Sequence, residues 1–309
     1  MLDFQPLTLD MKGMIDSYTF QYGENSCQHS FVSSFCLYEK YGDMFCESDN
    51  FLFTLRSKLC NDKERVYLFP HGNFEDTDGI KKALQRIFDD AHEKNCKVKF
   101  ETLTERAKNI VEKLFPGKFL VESSRDYSEY VYKVEKLINL PGVELAKKRN
   151  NINKFSRDYK DRYKVEKIRH EYFDKIKKFQ SEWLGYKISA DPDPVHRKQL
   201  KFENEEINIA IENFCSLGLD GIVLFIDGKL SGYVFGSPLS ENCFDEIANK
   251  GDRNIPNVSR VLVNEFVKIC CAGYEYINRE EDLGVVGLRQ IKTDYRPDFM
   301  IDKFILTER

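Results

Sequence analysis

Ile222-Val223-Leu224-Phe225-Ile226-Asp227-Gly228-Lys229-Leu230-Ser231-Gly232-Tyr233-Val234-Phe235-Gly236 is two apolar runs joined by Asp-Gly. Asp-Gly in that setting is the strongest short hairpin signal, because both central residues of a type I′ turn need positive φ. Upstream, apolar spacing predicts helices from about Val143 to Tyr159, from Tyr172 to Trp183 and from Glu203 to Cys215, with Asp191-Pro192-Asp193-Pro194 as a rigid loop. Downstream, a strand is expected at Cys243–Ala248. A helix follows from Pro256 or Asn257 to Cys271, then a short strand at Tyr276-Ile277-Asn278. A helix carrying Leu288, Ile291 and Tyr295 comes next, and a final strand from Phe299 to Leu306.

Helices, hairpin, strand, helix, strand, helix, strand is the order of the GNAT acyltransferase fold. In that fold two central strands splay and the acyl donor enters the gap. The likeness at this level is topological and argues little about function. The first half alternates helices and strands. Helices are expected at Asp10–Phe20, Ser30–Tyr41, Asp78–Lys94 and Thr104–Phe115. Strands are expected at Phe51–Leu55, Val66–Phe69, Lys97–Phe100 and from Phe119. In Asp78–Lys94 the residues Ile80, Ala83, Leu84, Ile87, Phe88 and Ala91 recur at helical spacing. The expected architecture is α/β (α+β): two tandem GNAT-like domains at 1–125 and 126–309, each a mixed sheet flanked by helices.

The 309 residues carry a formal net charge of −4, which argues against a surface wholly devoted to nucleic acid. No apolar run is long enough to cross a bilayer. Met1-Leu2-Asp3-Phe4-Gln5 has no basic region followed by an apolar one, so no signal peptide is expected. The nine cysteines form no CxxC pair, which fits reduced thiols and a cytoplasmic location. The histidines form no HxxxH or HExxH pattern, and no metal site is expected.

Four segments have the residue types for chemistry. In Leu145-Ala146-Lys147-Lys148-Arg149-Asn150-Asn151-Ile152-Asn153-Lys154-Phe155, Lys148 falls inside the stripe of Leu145, Ile152, Phe155 and Tyr159, with Arg149 and Asn153 on its edge. Either the Lys148 stem packs and its head escapes to water, or it reaches a carboxylate or phosphate. From Lys147 to Arg169 there are ten Lys or Arg against three acids, a local excess of +7. Such a patch suits a polyanion, such as tRNA or an anionic lipid head group; the plainer reading is a solvated face. In Phe244-Asp245-Glu246-Ile247-Ala248-Asn249, strand alternation sends Asp245 and Glu246 to opposite faces, and Glu246 is the candidate base. The loop Gly251–Asn257 lacks the Gly-rich pyrophosphate pattern of acetyl-CoA enzymes, and Asn264 lies on the polar face of the helix after it. In Asn278-Arg279-Glu280-Glu281-Asp282-Leu283-Gly284, Asp282 is read as a helix cap, with Arg289 and Lys292 beside the following stripe.

Several of these runs together resemble one family. Tyr130-Val131-Tyr132, the Lys147–Phe155 run, Asn264-Glu265-Phe266 and Ile277–Gly284 with Leu288-Arg289 are similar to soluble bacterial relatives of the C-terminal catalytic domain of phosphatidylglycerol lysyltransferases. The resemblance covers most of the chain. It implies two tandem GNAT-like domains of the Fem type, with aminoacyl-tRNA as donor and a lipid hydroxyl or cell-wall precursor amine as acceptor. Acetyl-CoA or another acyl-CoA is the alternative donor, a non-catalytic anion- or RNA-binding module the alternative role, and no further cofactor is implied. The candidate catalytic residues are Glu246 and Glu280. Lys148, Arg149, Asn153, Asn249, Asn257, Asn264, Asn278, Asp282, Arg289 and Lys292 are the candidate substrate-binding residues. The first half has no second Lys-Arg-Asn motif and is read as a degenerate partner.

Overall fold

The computed structural model describes residues 2–309, and the chain forms two compact units. The first takes Met1–Tyr130, Glu281–Gln290 and Phe299–Arg309; the second takes Val131–Glu280 and Ile291–Asp298. The expected division at 125/126 differs from this chiefly at the end of the chain, which returns to the first unit. The expected final strand is two strands, β13 (Phe299–Ile301) and β14 (Phe304–Glu308).

The first unit holds β1 (Gln5–Pro6), β2 (Asp43–Ser48), β3 (Phe51–Arg56), β4 (Glu64–Tyr67), β5 (Lys97–Leu103) and β6 (Phe119–Ser123). Its sheet runs β1-β2-β3-β4-β5-β14-β6. β4 and β5 pair in parallel from Glu64/Lys97 to Tyr67/Phe100. Helices α1 (Lys12–Tyr22), α2 (Phe31–Cys36), α3 (Tyr38–Tyr41), α4 (Thr77–Glu93) and α5 (Glu105–Leu114) complete it. The anticipated stripe of α4 is buried in full. Asp76 and Thr104 cap α4 and α5 by accepting from Gly79 N and Ala107 N. The expected Ser30–Tyr41 helix is two, because Leu37 leaves the helical region between α2 and α3.

The second unit begins in β7 (Glu129–Lys133), followed by α6 (Val134–Asn139), α7 (Ala146–Asp158), β8 (Tyr163–Lys167), α8 (Phe173–Ala190) and α9 (Pro194–Glu212). Next come β9 (Asp220–Ile226), β10 (Lys229–Pro238), β11 (Cys243–Gly251), α10 (Val258–Cys270) and β12 (Tyr276–Asn278), and α11 (Val286–Thr293) leads back into it. Its strands stand in the order β7-β12-β11-β10-β9-β8. The β9–β10 hairpin forms at Asp227-Gly228, whose φ values are 50° and 76°. The expected rigid loop ends as a helix start: Asp193 caps α9 from Val195 N at 2.8 Å, with Pro194 in the first turn.

Candidate active site

β11 and β12 pair in parallel over three residues only, Cys243/Tyr276, Phe244/Ile277 and Asp245/Asn278. One residue further along each strand the side chains meet instead of the backbones. Arg279 Nη2 donates to Glu246 Oε1 at 2.7 Å, and both residues are buried. A β-bulge shapes this fork. On β10, Phe235 faces Ala248 and Gly236 faces Glu246, so Ile247 has no partner. One extra residue bends the strand and resets its alternation. A regular strand would point Glu246 and Asn249 to opposite faces. Here they share one, and Asn249 Nδ2 donates to Glu246 Oε1 at 3.3 Å. Gly236 is required opposite the bulge, since a Cβ there would overlap the Asp245 carbonyl oxygen.

Aromatic rings and further charges line the fork. The Arg279 guanidinium lies 5.1 Å from the Tyr295 ring centre and 5.8 Å from that of Tyr132. Burial works against its charge, but the Glu246 carboxylate with Tyr132 outweighs this and holds the guanidinium above its ordinary value. The Lys148 ammonium is 4.5 Å from the Tyr295 ring centre and 3.7 Å from Asp294 Oδ2. Of the two fates open to Lys148, it therefore reaches a carboxylate. Burial lowers its pKa and Arg260 and Arg279 repel it, while Asp294 pulls the other way.

Five buried polar atoms of this cluster have no hydrogen-bond partner among the described residues: Glu246 Oε2, Asn249 Oδ1, Arg279 Nε, Arg279 Nη1 and the Tyr295 hydroxyl. Each unmet atom costs about 1–3 kcal/mol, and native proteins hold only a few per hundred residues. Their gathering on four neighbouring side chains marks a place prepared for polar contacts.

The other anticipated residues have varied positions. Asn278 is buried, and its Oδ1 accepts from Glu280 N at 2.8 Å, which fixes half-buried Glu280 at φ 55° just past the fork. Asn257 has φ 68° and accepts from Arg260 Nη1 at 3.0 Å. Asn264 is not on a polar face: buried, it donates to the carbonyls of Leu137 at 2.8 Å and Ile138 at 2.9 Å, tying α10 to the end of α6. Arg149 likewise donates to the carbonyls of Leu140 and Gly142. Asn153 is exposed on α7. Lys292 is buried and Ile291 exposed, the reverse of the expected stripe.

Asp282 does not cap α11, which starts four residues later. It is fully buried in the first unit and accepts from Tyr130 Oη at 2.5 Å, Arg289 Nε at 2.9 Å and Gly284 N at 2.9 Å. Arg289 also reaches Asp126 at 2.6 Å. Burial opposes the Asp282 charge, but the hydrogen bonds from Arg289 and Tyr130 outweigh it and hold the carboxyl at about 2. Asp282 and Arg289 thus serve the loop itself. Asp282→Ala is expected to destabilise the protein by about 3 kcal/mol in urea unfolding, because it strands the Tyr130 hydroxyl and Arg289.

The basic segment is largely matched by acids that the fold brings to it. Pairing of β8 with β9 sets Arg162 against Asp227 at 2.5 Å and Lys167 against Asp220 at 2.5 Å. Lys154 pairs with Asp158, and Lys164 and Arg169 with Glu166. Lys147, Arg157 and Lys160 are exposed and make no ion pair among the described residues. As for metal ligation, Cys27, Glu129 and Glu281 of the first unit bring ligand atoms within 4.8 Å of one another. The Lys303 ammonium, 2.8 Å from Glu129 Oε1, already supplies a counter-charge there.

Sequence reasoning did not single out Arg279, and it read Tyr295 only as core. The only local signal was an arginine directly after the short strand Tyr276–Asn278; the acid it meets is set by strand pairing.

The sequence matches the phosphatidylglycerol lysyltransferase C-terminal family over residues 20–307. It is 22% identical over 192 residues to an uncharacterised protein of Mycoplasmoides gallisepticum, covering 62% of this chain and 59% of that one. The chain thus spans about 59% of the curated relative it matches. Among solved structures, a conserved protein of unknown function from Bacteroides thetaiotaomicron VPI-5482 has TM-score 0.91, 26% identity and full coverage of both chains. The C-terminal domain of a protein described as a lysylphosphatidylglycerol synthetase from Agrobacterium fabrum has TM-score 0.66 at 13% identity, covering 97% of this chain and 91% of that one. FemX has TM-score 0.59 at 9% identity, covering 100% and 98%. At such identities the likeness shows the fold, which is tandem GNAT-like.

Proposed function

This chain belongs to the phosphatidylglycerol lysyltransferase C-terminal family, and on that premise we propose that it is an aminoacyltransferase working at the fork of its second unit. The donor is aminoacyl-tRNA, and the acceptor is an amine or hydroxyl on a lipid head group or cell-wall precursor. The observation that carries the reading is the fork, where pairing stops at Asp245/Asn278 and buried, unmet polar groups begin. The loop before α10 favours a donor other than acyl-CoA. Three of its amides are already engaged: Asp252 N on Ser231 O of β10, Asn254 N on Asp252 Oδ1 and Ile255 N on Asp252 O. A pyrophosphate would need such amides turned outward.

In the proposed step the acceptor nitrogen or oxygen attacks the ester carbonyl carbon. A new C–N or C–O bond forms, the bond to the tRNA 3′ ribose breaks, and the acceptor proton passes to a carboxylate and on to the departing ribose oxygen. Of the two acids, Glu280 suits the base better. It is half-exposed beyond the fork, whereas Glu246 is buried. Arg279 donates to the oxygen that gains charge in the tetrahedral intermediate. Lys148 and Arg260 are the proposed partners of the 3′-terminal phosphates, with Lys147, Arg157 and Lys160 as the proposed outer tRNA contacts.

The test incubates labelled aminoacyl-tRNA with bacterial lipid and cell-wall precursor fractions. Label is expected to move from tRNA into one fraction, and Glu280→Gln to slow that transfer about a hundredfold with tRNA binding retained. Label remaining on tRNA with every fraction would contradict the reading.

A further inference from the structure

We propose that the fork recognises the head of an α-amino acid: Glu246 and Asn249 take the α-amino group, and Arg279 takes the adjoining acyl oxygen. This rests on the transferase reading above and names the part of the donor that the site reads.

The bare atoms are complementary in kind. Glu246 Oε1 is occupied by Arg279 and Asn249, which leaves Oε2. Asn249 spends its amide N–H on that same oxygen and leaves Oδ1, so two acceptors lie bare on adjoining groups. Arg279 spends Nη2 on Glu246 and leaves Nε and Nη1, two donors on one rigid plane. A ligand that satisfies the first pair presents two N–H bonds from one atom, which a primary amine does and an ester or thioester oxygen does not. Nε and Nη1 lie on different edges of the guanidinium, so a carbonyl or carboxylate oxygen of the ligand takes one of the two.

Spacing joins the two requirements. The acceptor and donor sets are linked by a 2.7 Å hydrogen bond, so amine and oxygen belong to one small unit. An α-aminoacyl group has its nitrogen and its carbonyl carbon on the same Cα. Acetyl and other simple acyl groups would take one donor and leave Glu246 Oε2 and Asn249 Oδ1 unmet. The bulge at Ile247 is the device that makes the pair, since without it Asn249 would face away from Glu246.

The test compares three forms of one tRNA: aminoacylated, aminoacylated and then deaminated to the α-hydroxy ester, and uncharged. The parent protein is expected to bind the amino ester about thirtyfold more tightly than the hydroxy ester. Glu246→Gln, which preserves shape and still accepts from Arg279, is expected to bring the two esters within about threefold, as is Asn249→Ala. Circular dichroism melts confirm that each variant is folded. If both esters bind equally and better than uncharged tRNA, the proposal falls and the transferase reading stands. If Glu246→Gln keeps the full preference, the proposal falls. If neither ester exceeds uncharged tRNA, the transferase reading falls and takes the proposal with it.

Discussion

Arg279→Ala is expected to lower stability by about 3–5 kcal/mol in equilibrium urea unfolding and to abolish transfer. The guanidinium is the cation for Glu246, and both residues are at most 7% exposed. Removing one member of a buried pair leaves the other as an uncompensated charge, which costs more than the pair was worth. Removing both is a milder change. The double variant Glu246→Gln with Arg279→Met is expected to regain much of the loss, since an uncharged polar group and an apolar one replace two ions. The double-mutant cycle isolates that coupling. A small single-variant effect with full additivity would mean that water already screens the pair. Transfer would remain absent in the double variant, because the donors proposed for the acyl oxygen are gone.

Acidification is expected to weaken the first unit through two buried histidines. His29 and His71 are buried with their rings 5.0 Å apart, edge to face. His29 Nε2 lies 3.1 Å from the Thr102 carbonyl, which fixes its proton there, and the Nδ1 of each ring is buried without a partner among the described residues. Burial pushes His71 down to about 4. Burial likewise pushes His29 well below its ordinary value, and His71, Lys303 and Arg56 add to this. Both rings are therefore neutral when folded, while the unfolded chain binds protons below about pH 6.5. Their contribution is complete above that value and is lost as pH falls from about 6.5 toward 4, where His71 protonates in the folded state. A shift from 6.5 to about 4 corresponds to roughly 3 kcal/mol from His71 alone. Asp282 acts in a separate, lower window, because its carboxyl is held at about 2. Urea unfolding at pH 7, 5.5 and 4.5 measures the slope. His71→Phe is expected to flatten it, and a parent curve flat across that range would contradict the assignment.

What was legible in the sequence was local. Asp227-Gly228 announced the hairpin because only a few residues tolerate positive φ in succession, and Lys148 stood out as a charge inside an apolar stripe. Both features depend on neighbours within one element. What was hidden depends on register between strands. The Glu246/Asn249 pair exists because Gly236 faces Glu246 and skips Ile247, which no alternation rule reveals. The basic run looked unopposed because Asp220 and Asp227, more than fifty residues away, reach it only through β8–β9 pairing. The return of β14 between β5 and β6 is the same kind of fact, spanning some two hundred residues. Asp282 was misread for a different reason. An acid shortly before a helix resembles a cap, but positive φ at Glu280, Leu283 and Gly284 folds the loop around the carboxylate instead.

We propose reception of an aminoacyl group, carried on tRNA, at the fork of the second unit. Its most direct measurement is the affinity for one tRNA in charged and uncharged form at low salt, where phosphate contacts are strongest and equal for both. The charged form is expected to bind at least about tenfold more tightly, with that margin lost in Arg279→Met. Equal affinity for the two forms, or no binding to either, would contradict it.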